Sequence, residues 1–229
     1  MLASLVRSLL RTGAHTPATK ASTSRRLHLG CGRDIREGWI NLDASSLPGV
    51  AVVADLDDCR NTPLPLADGS IDEFFGNHVL EHLKNPLPFM QELHRVAGAG
   101  AKAVFSVPYG SSDDADADPT HVRRYFVNSF HYFSQLAYTR ADYGYRGDWD
   151  MASIVLTVPA ERYAGVSNEQ MLEDIRSQRN VVIEMIATLK AVKPIRTPGS
   201  QAAAPVHVTI NRIANAERKP EWQNPNDRL

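Results

Sequence analysis

Residues Leu27 to Asp43 read LHLGCGRDIREGWINLD, and this stretch decides the fold. A short apolar strand leads into the glycine turn Gly30-Cys31-Gly32, and a second apolar strand ends at Asp43. Glycine accepts a positive φ and lets another molecule approach the backbone closely, so the turn suits the floor of a pocket. Doubly wound sheets bind ligands outside the carboxyl ends of their strands, where Asp43 stands. The pattern predicts a pocket in which Asp43 binds a ribose diol.

The spacing of this stretch argues against a dinucleotide site. The dinucleotide fingerprint requires a third glycine where this chain has Ile35, and an acidic residue about 20 residues further on. Asp43 comes too early, and too few residues remain for a crossover helix whose amino terminus could hold a pyrophosphate. A nucleoside cofactor without phosphate fits better.

Further motifs follow the glycine turn in order. They are Ala54-Asp55-Leu56, Leu64 to Asp72, Asn77 to Leu83, Glu92 to Val96 and Ser106-Val107-Pro108, with a weaker match at Asp118 to Arg123. From about Leu27 to Tyr109 the chain thereby resembles the class I S-adenosylmethionine-dependent methyltransferases, in particular small bacterial members with a shortened first crossover helix. The resemblance implies an α/β fold, a Rossmann-like, doubly wound, mainly parallel seven-stranded sheet with helices on both faces. It also implies S-adenosyl-L-methionine as cofactor.

Two more strand ends contribute residues to the predicted pocket. Val50 to Ala54 is an unbroken apolar run, as expected of a strand buried on both faces, and Asp55 and Leu56 follow it. By resemblance these two residues lie beside the adenine; the alternative is that Asp55 only caps a turn. The residues after the next strand, by resemblance, face the methionine end of the cofactor. The predicted cofactor-binding residues are Gly30, Cys31, Gly32, Asp43, Asp55, Leu56, Asn77 and His78.

The predicted reaction needs few catalytic residues. Methyl transfer is an in-line displacement that requires alignment and, for some acceptors, a base. Histidine is the natural base for a hydroxyl acceptor, and His121 is the first candidate because it follows the loop after the fifth strand, Ala101 to Val107. Tyr109 and His78 are weaker candidates. Each of the three could instead only position the substrate.

Two other functions compete with methyl transfer. His78-Val79-Leu80-Glu81-His82 matches the H-x-x-E-H pattern of inverted zinc metallopeptidases, whose two histidines hold zinc from one helix face. Asn85-Pro86 ends such a helix too soon, so we predict no metal site and expect Glu81 and His82 to form hydrogen bonds beneath the cleft. The acidic stretch Ser111 to Pro119 lacks EF-hand spacing and is predicted to be a solvated loop. A catalytically silent module that binds the cofactor for a partner protein is the other alternative.

The composition narrows the choice of acceptor. The chain has 229 residues, 43% of them hydrophobic, and a formal net charge of -1, which fits one α/β domain without general attraction to nucleic acid or anionic membrane. Arg123, Arg124, Arg140 and Arg146 are too few to form a basic stripe. A small molecule or a sugar or glycan, methylated at oxygen or nitrogen, therefore ranks first. The two cysteines are predicted to be reduced thiols.

The predicted division of the chain is a basic extension (1–26), a methyltransferase domain (27–215) and a tail (216–229). The extension has five Lys and Arg residues and no acidic residue. We favour a short helix, Leu2 to Leu10, packed on the domain of a cytoplasmic protein, although a mitochondrial transit peptide has the same composition. No stretch approaches the 18 consecutive apolar residues of a membrane span.

The later part of the chain predicts two helices and two strands. The helices are Asn128 to Leu136 and a long Ser167 to Lys190, the latter opened by a capping box of Ser167 and Gln170. The strands are Met151 to Val158 and Val206 to Ile213. By resemblance, a helix between two late strands matches the antiparallel edge of the class I methyltransferase sheet.

Overall fold

The computed structural model describes residues 25–200, 202 and 204–214. The predicted helix Leu2 to Leu10 and the tail from Arg218 lie outside these residues. Eight strands form one sheet. Their bounds are β1 Arg26–Leu29, β2 Ile40–Asp43, β3 Val52–Val53, β4 Ile71–Asn77, β5 Ala97–Pro108, β6 Trp149–Pro159, β7 Glu184–Ala191 and β8 His207–Ile213.

The strand order is β3-β2-β1-β4-β5-β7-β6-β8. The five strands from β3 to β5 pair in parallel, whereas β7 is antiparallel to both β5 and β6, and β8 is parallel to β6. The order reverses between β1 and β4, which creates the switch point where doubly wound sheets bind ligands. The predicted α/β class is confirmed, with eight strands in the described residues in place of the predicted seven.

Three α-helices are found in the described residues: α1 Pro86–Val96, α2 Asp114–Ala117 and α3 Asn168–Ser177. Helix α1 begins with proline at its first position, where the missing N–H costs nothing, and it buries Phe89, Met90, Leu93 and Val96 as predicted. Residues 30–39, between β1 and β2, contain turns and no helix. The first crossover is therefore as short as the sequence predicted.

The prediction of one long helix from Ser167 to Lys190 is wrong. Its first turn is as expected, because Ser167 Oγ accepts a hydrogen bond from the backbone N–H of Gln170 at 3.2 Å. The helix ends at Ser177, however, and β7 follows after Asn180, which has a φ of +58°. Apolar residues of β7 are buried at every second position, the period of a strand between two neighbours. The antiparallel edge is thus formed by β6 and β7, and residues 207–213 add the eighth strand.

The region predicted as helix Asn128 to Leu136 also differs. It consists of two 3-10 segments, Val127–Phe133 and Gln135–Ala137. Ser134 separates them and accepts a hydrogen bond from the backbone N–H of Leu136, which starts the second segment. The aromatic residues Phe130 and Phe133 of the first segment are buried and anchor it to the core.

The core lies on the sheet and is closed by α1. Fully buried residues include Leu27, Phe74 and Phe105, and the indole N–H of the buried Trp149 donates to the Met90 carbonyl at 3.1 Å. The two cysteines, Cys31 and Cys59, are free and buried. In the part of the chain that the structure describes, no helix is long and apolar enough to cross a membrane.

Candidate functional site

The predicted site residues come together at one edge of the sheet. Parallel strands present their carboxyl ends at the same edge, and the antiparallel β7 presents its amino end there. Each strand end carries a residue with a polar group or an open backbone. In sheet order from β3 to β7 these residues are Asp55, Asp43, Gly30, His78, Tyr109 and Glu184.

The glycine turn is fastened to β2 and packed against the end of β4. The N–H of Cys31 donates to the Leu42 carbonyl at 3.0 Å, and the N–H of Gly32 donates to Asp43 Oδ2 at 2.8 Å. Both glycines have positive φ, +56° at Gly30 and +48° at Gly32. A Cβ atom at Gly30 would lie 2.5 Å from Val79 Cγ2, whereas one at Gly32 would meet nothing within 4 Å. The turn therefore touches protein at Gly30 and is open at Gly32.

Asp43 retains the capacity to bind hydroxyl groups. Its Oδ1 accepts a hydrogen bond from the Ser45 N–H at 2.8 Å, and its Oδ2 accepts the Gly32 N–H. Each carboxylate oxygen has two acceptor sites, so each retains one. Two neighbouring acceptors are what a ribose diol requires.

Asp55 and Leu56 have structural roles of their own. Asp55 Oδ1 accepts a hydrogen bond from the Asp57 N–H at 2.9 Å and caps the 3-10 turn Leu56–Asp58. The predicted alternative for Asp55, the cap of a turn, is therefore observed. The Leu56 side chain is buried in the core.

His78 connects β4, β5 and β7 at this edge. Its N–H donates to the Ser106 carbonyl at 2.9 Å, and its φ of +52° is a left-handed conformation that costs energy for a residue other than glycine. The ring nitrogens lie 3.1 Å from Glu81 Oε1 and 3.4 Å from Glu184 Oε1. The hydrogen bond from His78 lowers the pKa of Glu184 below its usual value against the effect of burial, and Ser106 Oγ–H adds a second bond at 2.6 Å.

His121 is held beside the residues that follow β4. The N–H groups of Val122 and Arg123 donate to the Glu81 carbonyl at 2.9 and 3.1 Å. These bonds bring the His121 ring to 4.7 Å from the His82 ring, measured between centroids. One ligand atom from each of Glu81, His82 and His121 lies within 4.8 Å of the others.

The structure separates the three catalytic candidates. Tyr109 is buried against Phe126, and burial raises the pKa of its hydroxyl, which makes it a poor base. His78 directly follows β4, and His121 lies beside Glu81 and His82, which also follow β4. The sequence did not reveal Glu184 as a site residue, because its segment reads as a helix. It also did not reveal that His121 lies beside Glu81 and His82, because His82 and His121 are 39 residues apart in the chain.

The zinc peptidase interpretation of residues 78–82 does not match the geometry. Leu80–His82 is a single 3-10 turn, and His78 precedes it with a positive φ. The two histidines of the motif therefore do not share one face of a helix. The next helix, α1, begins only at Pro86, where the sequence predicted the break.

The chain is similar to known methyltransferases. Residues 13–105, less than half of the chain, match a family model described as a methyltransferase domain. No curated protein matches the chain. Three solved structures are similar to it: a SAM-dependent methyltransferase from Archaeoglobus fulgidus (17% identity, 73% of this chain and 86% of that chain, TM-score 0.48), YcgJ from Bacillus subtilis (14%, 74% and 92%, 0.47) and a SAM-dependent methyltransferase from Aquifex aeolicus (14%, 74% and 83%, 0.46). These structural similarities are distant.

The sheet has a Rossmann-like strand order, with its switch point between β1 and β4, where sheets of this kind bind ligands. Together with the matched segment, these features support an S-adenosylmethionine-dependent methyltransferase. The cofactor implied by this similarity is S-adenosyl-L-methionine.

Proposed function

We propose that this methyltransferase acts on a small molecule or a sugar or glycan and methylates an oxygen or a nitrogen. The cofactor would lie over the turn from Gly30 to Gly32, with its ribose on Asp43 and its adenine beside Asp55 and Leu56. Asn77 and His78 would face its methionine end. The cytoplasm is the compartment we propose.

The observation that supports this arrangement best is the division of polar groups along the sheet edge. Asp43 and Asp55 lie on the β2 and β3 side of the glycine turn, whereas histidines and glutamates gather on the β4 to β7 side. The first group consists of acceptors, as a ribose and an amino-purine require. The second group contains titratable side chains that can bind a hydroxyl or amine and take up its proton. His121, the catalytic residue predicted from the sequence, belongs to the second group, and we propose that it activates the acceptor.

The arginines that the sequence offered for phosphate binding are held by other protein groups, which supports an acceptor other than nucleic acid. Arg124 forms an ion pair with Asp116, and Arg146 forms one with Asp142 at 3.0 Å. The Arg123 guanidinium donates to the carbonyls of Leu83 and Lys84. A cation that is already paired contributes less to phosphate binding than an unpaired one, because the existing bond must be broken.

The proposal is tested by following a labelled methyl group. Purified protein is incubated with S-adenosylmethionine labelled in its methyl group and with four fractions of one cell extract: small metabolites, glycans, nucleic acids and proteins. Label in the metabolite or glycan fraction is the expected result. Label in nucleic acid or protein would overturn the proposed acceptor class. Calorimetric binding of the cofactor without transfer to any fraction would overturn catalysis in favour of the silent module.

A further inference from the structure

The group formed by Glu81, His82 and His121 contains buried atoms that lack a partner. Glu81 is 1% exposed and the His121 side chain is 7% exposed. Within the described residues, no hydrogen-bond partner reaches Glu81 Oε2 or His121 Nδ1. Leaving a buried carboxylate oxygen and a buried ring nitrogen unpaired costs free energy. The two atoms do not bond to each other, although their residues belong to one group, as expected if another atom belongs between them.

Neighbouring residues orient two of these side chains. His78 Nδ1 lies 3.1 Å from Glu81 Oε1, which leaves Oε2 as the unpaired oxygen. Asp118 Oδ2 lies 3.9 Å from His121 Nε2 and favours a proton there. The lone pair of a neutral His121 then belongs to Nδ1, the buried atom without a partner.

The third side chain, His82, is oriented by a relay of hydrogen bonds. Thr120 Oγ1 donates to Asp118 Oδ1 at 2.6 Å, because a carboxylate can only accept. The Thr120 oxygen must therefore accept the proton of His82 Nδ1, which lies 2.9 Å away. This arrangement leaves the lone pair of a neutral His82 on Nε2. Histidine ligands of metals are held in this way, with the second ring N–H bonded to an oxygen.

We propose that Glu81, His82 and His121 bind one divalent transition-metal ion. Two imidazoles and one carboxylate are a known ligand set for zinc and for other first-row divalent metals, and they leave coordination positions open. Magnesium and calcium prefer oxygen ligands, so this set favours transition metals over them. Ligand atoms around a tetrahedral zinc ion lie about 3.4 Å apart, so atoms within 4.8 Å need only small side-chain movements.

The position of the ion gives it a role in methyl transfer, and this part rests on the proposed function. The acceptor hydroxyl would occupy an open coordination position, where the ion lowers the pKa of the O–H group. The O–H bond breaks and its proton passes to water. The oxygen forms a bond to the methyl carbon as the carbon–sulfur bond breaks, and the electron pair stays on sulfur, which becomes the thioether of S-adenosylhomocysteine. In this arrangement His121 activates the acceptor as a ligand of the ion, and not as the base that takes up the proton.

The metal site is tested by binding, without an acceptor. Full-length protein free of any histidine tag is stripped with a chelator and titrated with Co²⁺, whose visible absorption reports coordination by nitrogen and oxygen. Zinc content after dialysis against Zn²⁺ gives the stoichiometry. We expect one ion per chain, and at least a tenfold loss of affinity in Glu81→Gln and in His121→Gln. His207→Gln, which removes an exposed histidine of β8, should bind as the wild type does.

The readouts separate the metal site from the proposed function and from misfolding. Each variant is titrated with S-adenosylmethionine, and one that binds the cofactor normally is folded. Thr120→Val retains all three ligands and should still lose about 10- to 100-fold in metal affinity, because it releases the His82 ring. The proposed site would be overturned if the wild type bound less than one ion per chain, or if all variants bound the ion as tightly as the wild type does. Ion binding without methyl transfer would leave the site standing and contradict only the proposed function.

Discussion

At the scale of single residues, Gly30 and Gly32 share a residue type and a backbone conformation but face different surroundings. Both have φ near +50°, which an alanine adopts at a cost of about 1–2 kcal/mol. Only Gly30 is in contact with Val79, across the junction of the β1 and β4 ends. The first glycine thus permits packing, and the second leaves open space that we propose the cofactor occupies.

Alanine substitutions should separate these two roles. Gly30→Ala adds a collision with Val79 to the backbone cost. Overpacking of this kind typically costs about 1–3 kcal/mol more. We expect Gly30→Ala to lower the free energy of unfolding by more than Gly32→Ala, measured with urea and circular dichroism. Gly32→Ala should show its larger effect in cofactor affinity. Equal losses of stability would contradict the packing role of Gly30.

Asp43 carries the predicted contact with the ribose. Asp43→Ala removes two acceptors and should weaken S-adenosylmethionine binding by about 1–3 kcal/mol, measured by calorimetry. Asp72→Ala is the matched control, since Asp72 lies at the opposite end of β4 and its carboxylate accepts only the Arg25 N–H among the described residues. Unchanged affinity in Asp43→Ala would remove Asp43 from the ribose site.

The local pattern was enough to predict the glycine turn and the position of Asp43 at a strand end. Sequence spacing could not reveal that Asp43 also holds the turn through the Gly32 N–H, because that bond depends on the register of two strands. Glu184 was missed for the same reason. Its position beside His78, at the start of β7, exists only after β5 and β6 have paired with that strand.

At the scale of elements, one buried ion pair joins three segments. Asp148, directly before β6, is fully buried and accepts two hydrogen bonds from the Arg196 guanidinium, at 2.7 and 2.8 Å. It also accepts the Gln135 N–H at 3.1 Å. Burial alone would raise the pKa of Asp148, but the bonds from Arg196 and Gln135 outweigh it and hold the pKa below its usual value.

Removal of Arg196 should therefore be costly. Arg196→Met leaves a buried carboxylate without its cation, and breaking a buried pair in this way costs about 3–5 kcal/mol. Urea unfolding at neutral pH measures the loss. The exposed pair of Arg146 and Asp142 provides the comparison, since Arg146→Met should cost less than about 1 kcal/mol. Similar losses in both variants would show that burial does not determine the contribution of the Arg196 pair.

Elements with local signals were predicted, and elements that depend on tertiary partners were not. Helix α1 was identified by Pro86 and its apolar spacing, both of which lie within the helix itself. The segment from Val182 to Leu189 has apolar residues at helical spacing and also at alternate positions. Pairing with β5 and β6 provides hydrogen-bond partners for the backbone on both sides of this segment, and it therefore forms a strand instead of a helix.

At the scale of the whole molecule, two buried histidines couple stability to pH. His28 and His94 are almost fully buried, and burial lowers the pKa of each below 6.5. The unfolded chain takes up protons on these residues below about pH 6.5, whereas the folded chain does not. The contribution of the two histidines to the free energy of unfolding is therefore complete above about pH 6.5 and is lost as the pH falls below it. The pKa values of Asp148 and Glu184 are also lowered in the folded chain, so these residues too lose their stabilising contribution as the pH falls. They do so only near pH 4 and below, where they titrate in the unfolded chain.

The slope of stability against pH should change when His94 is replaced. Each buried histidine contributes up to about 1.4 kcal/mol per pH unit below its unfolded pKa. In His94→Gln, the free energy of unfolding should fall less between pH 7 and pH 5 than in the wild type. The slopes are compared, since loss of the His94 contact with Trp149 also lowers stability at every pH. His207→Gln should leave the slope unchanged; the same slope in all three proteins would contradict the assignment.

The short first crossover also affects the order in which the chain can assemble. Leu29 pairs with Leu42, only 13 residues away, whereas Ser106 pairs with Ile186, 80 residues away. Closing the longer loop costs about 1.6 kcal/mol more in chain entropy. During synthesis, strands β1 to β5 are complete before β7 leaves the ribosome. We therefore expect the half of the sheet that we propose binds the cofactor to form first, and the proposed acceptor site, which also needs β7, to be completed last.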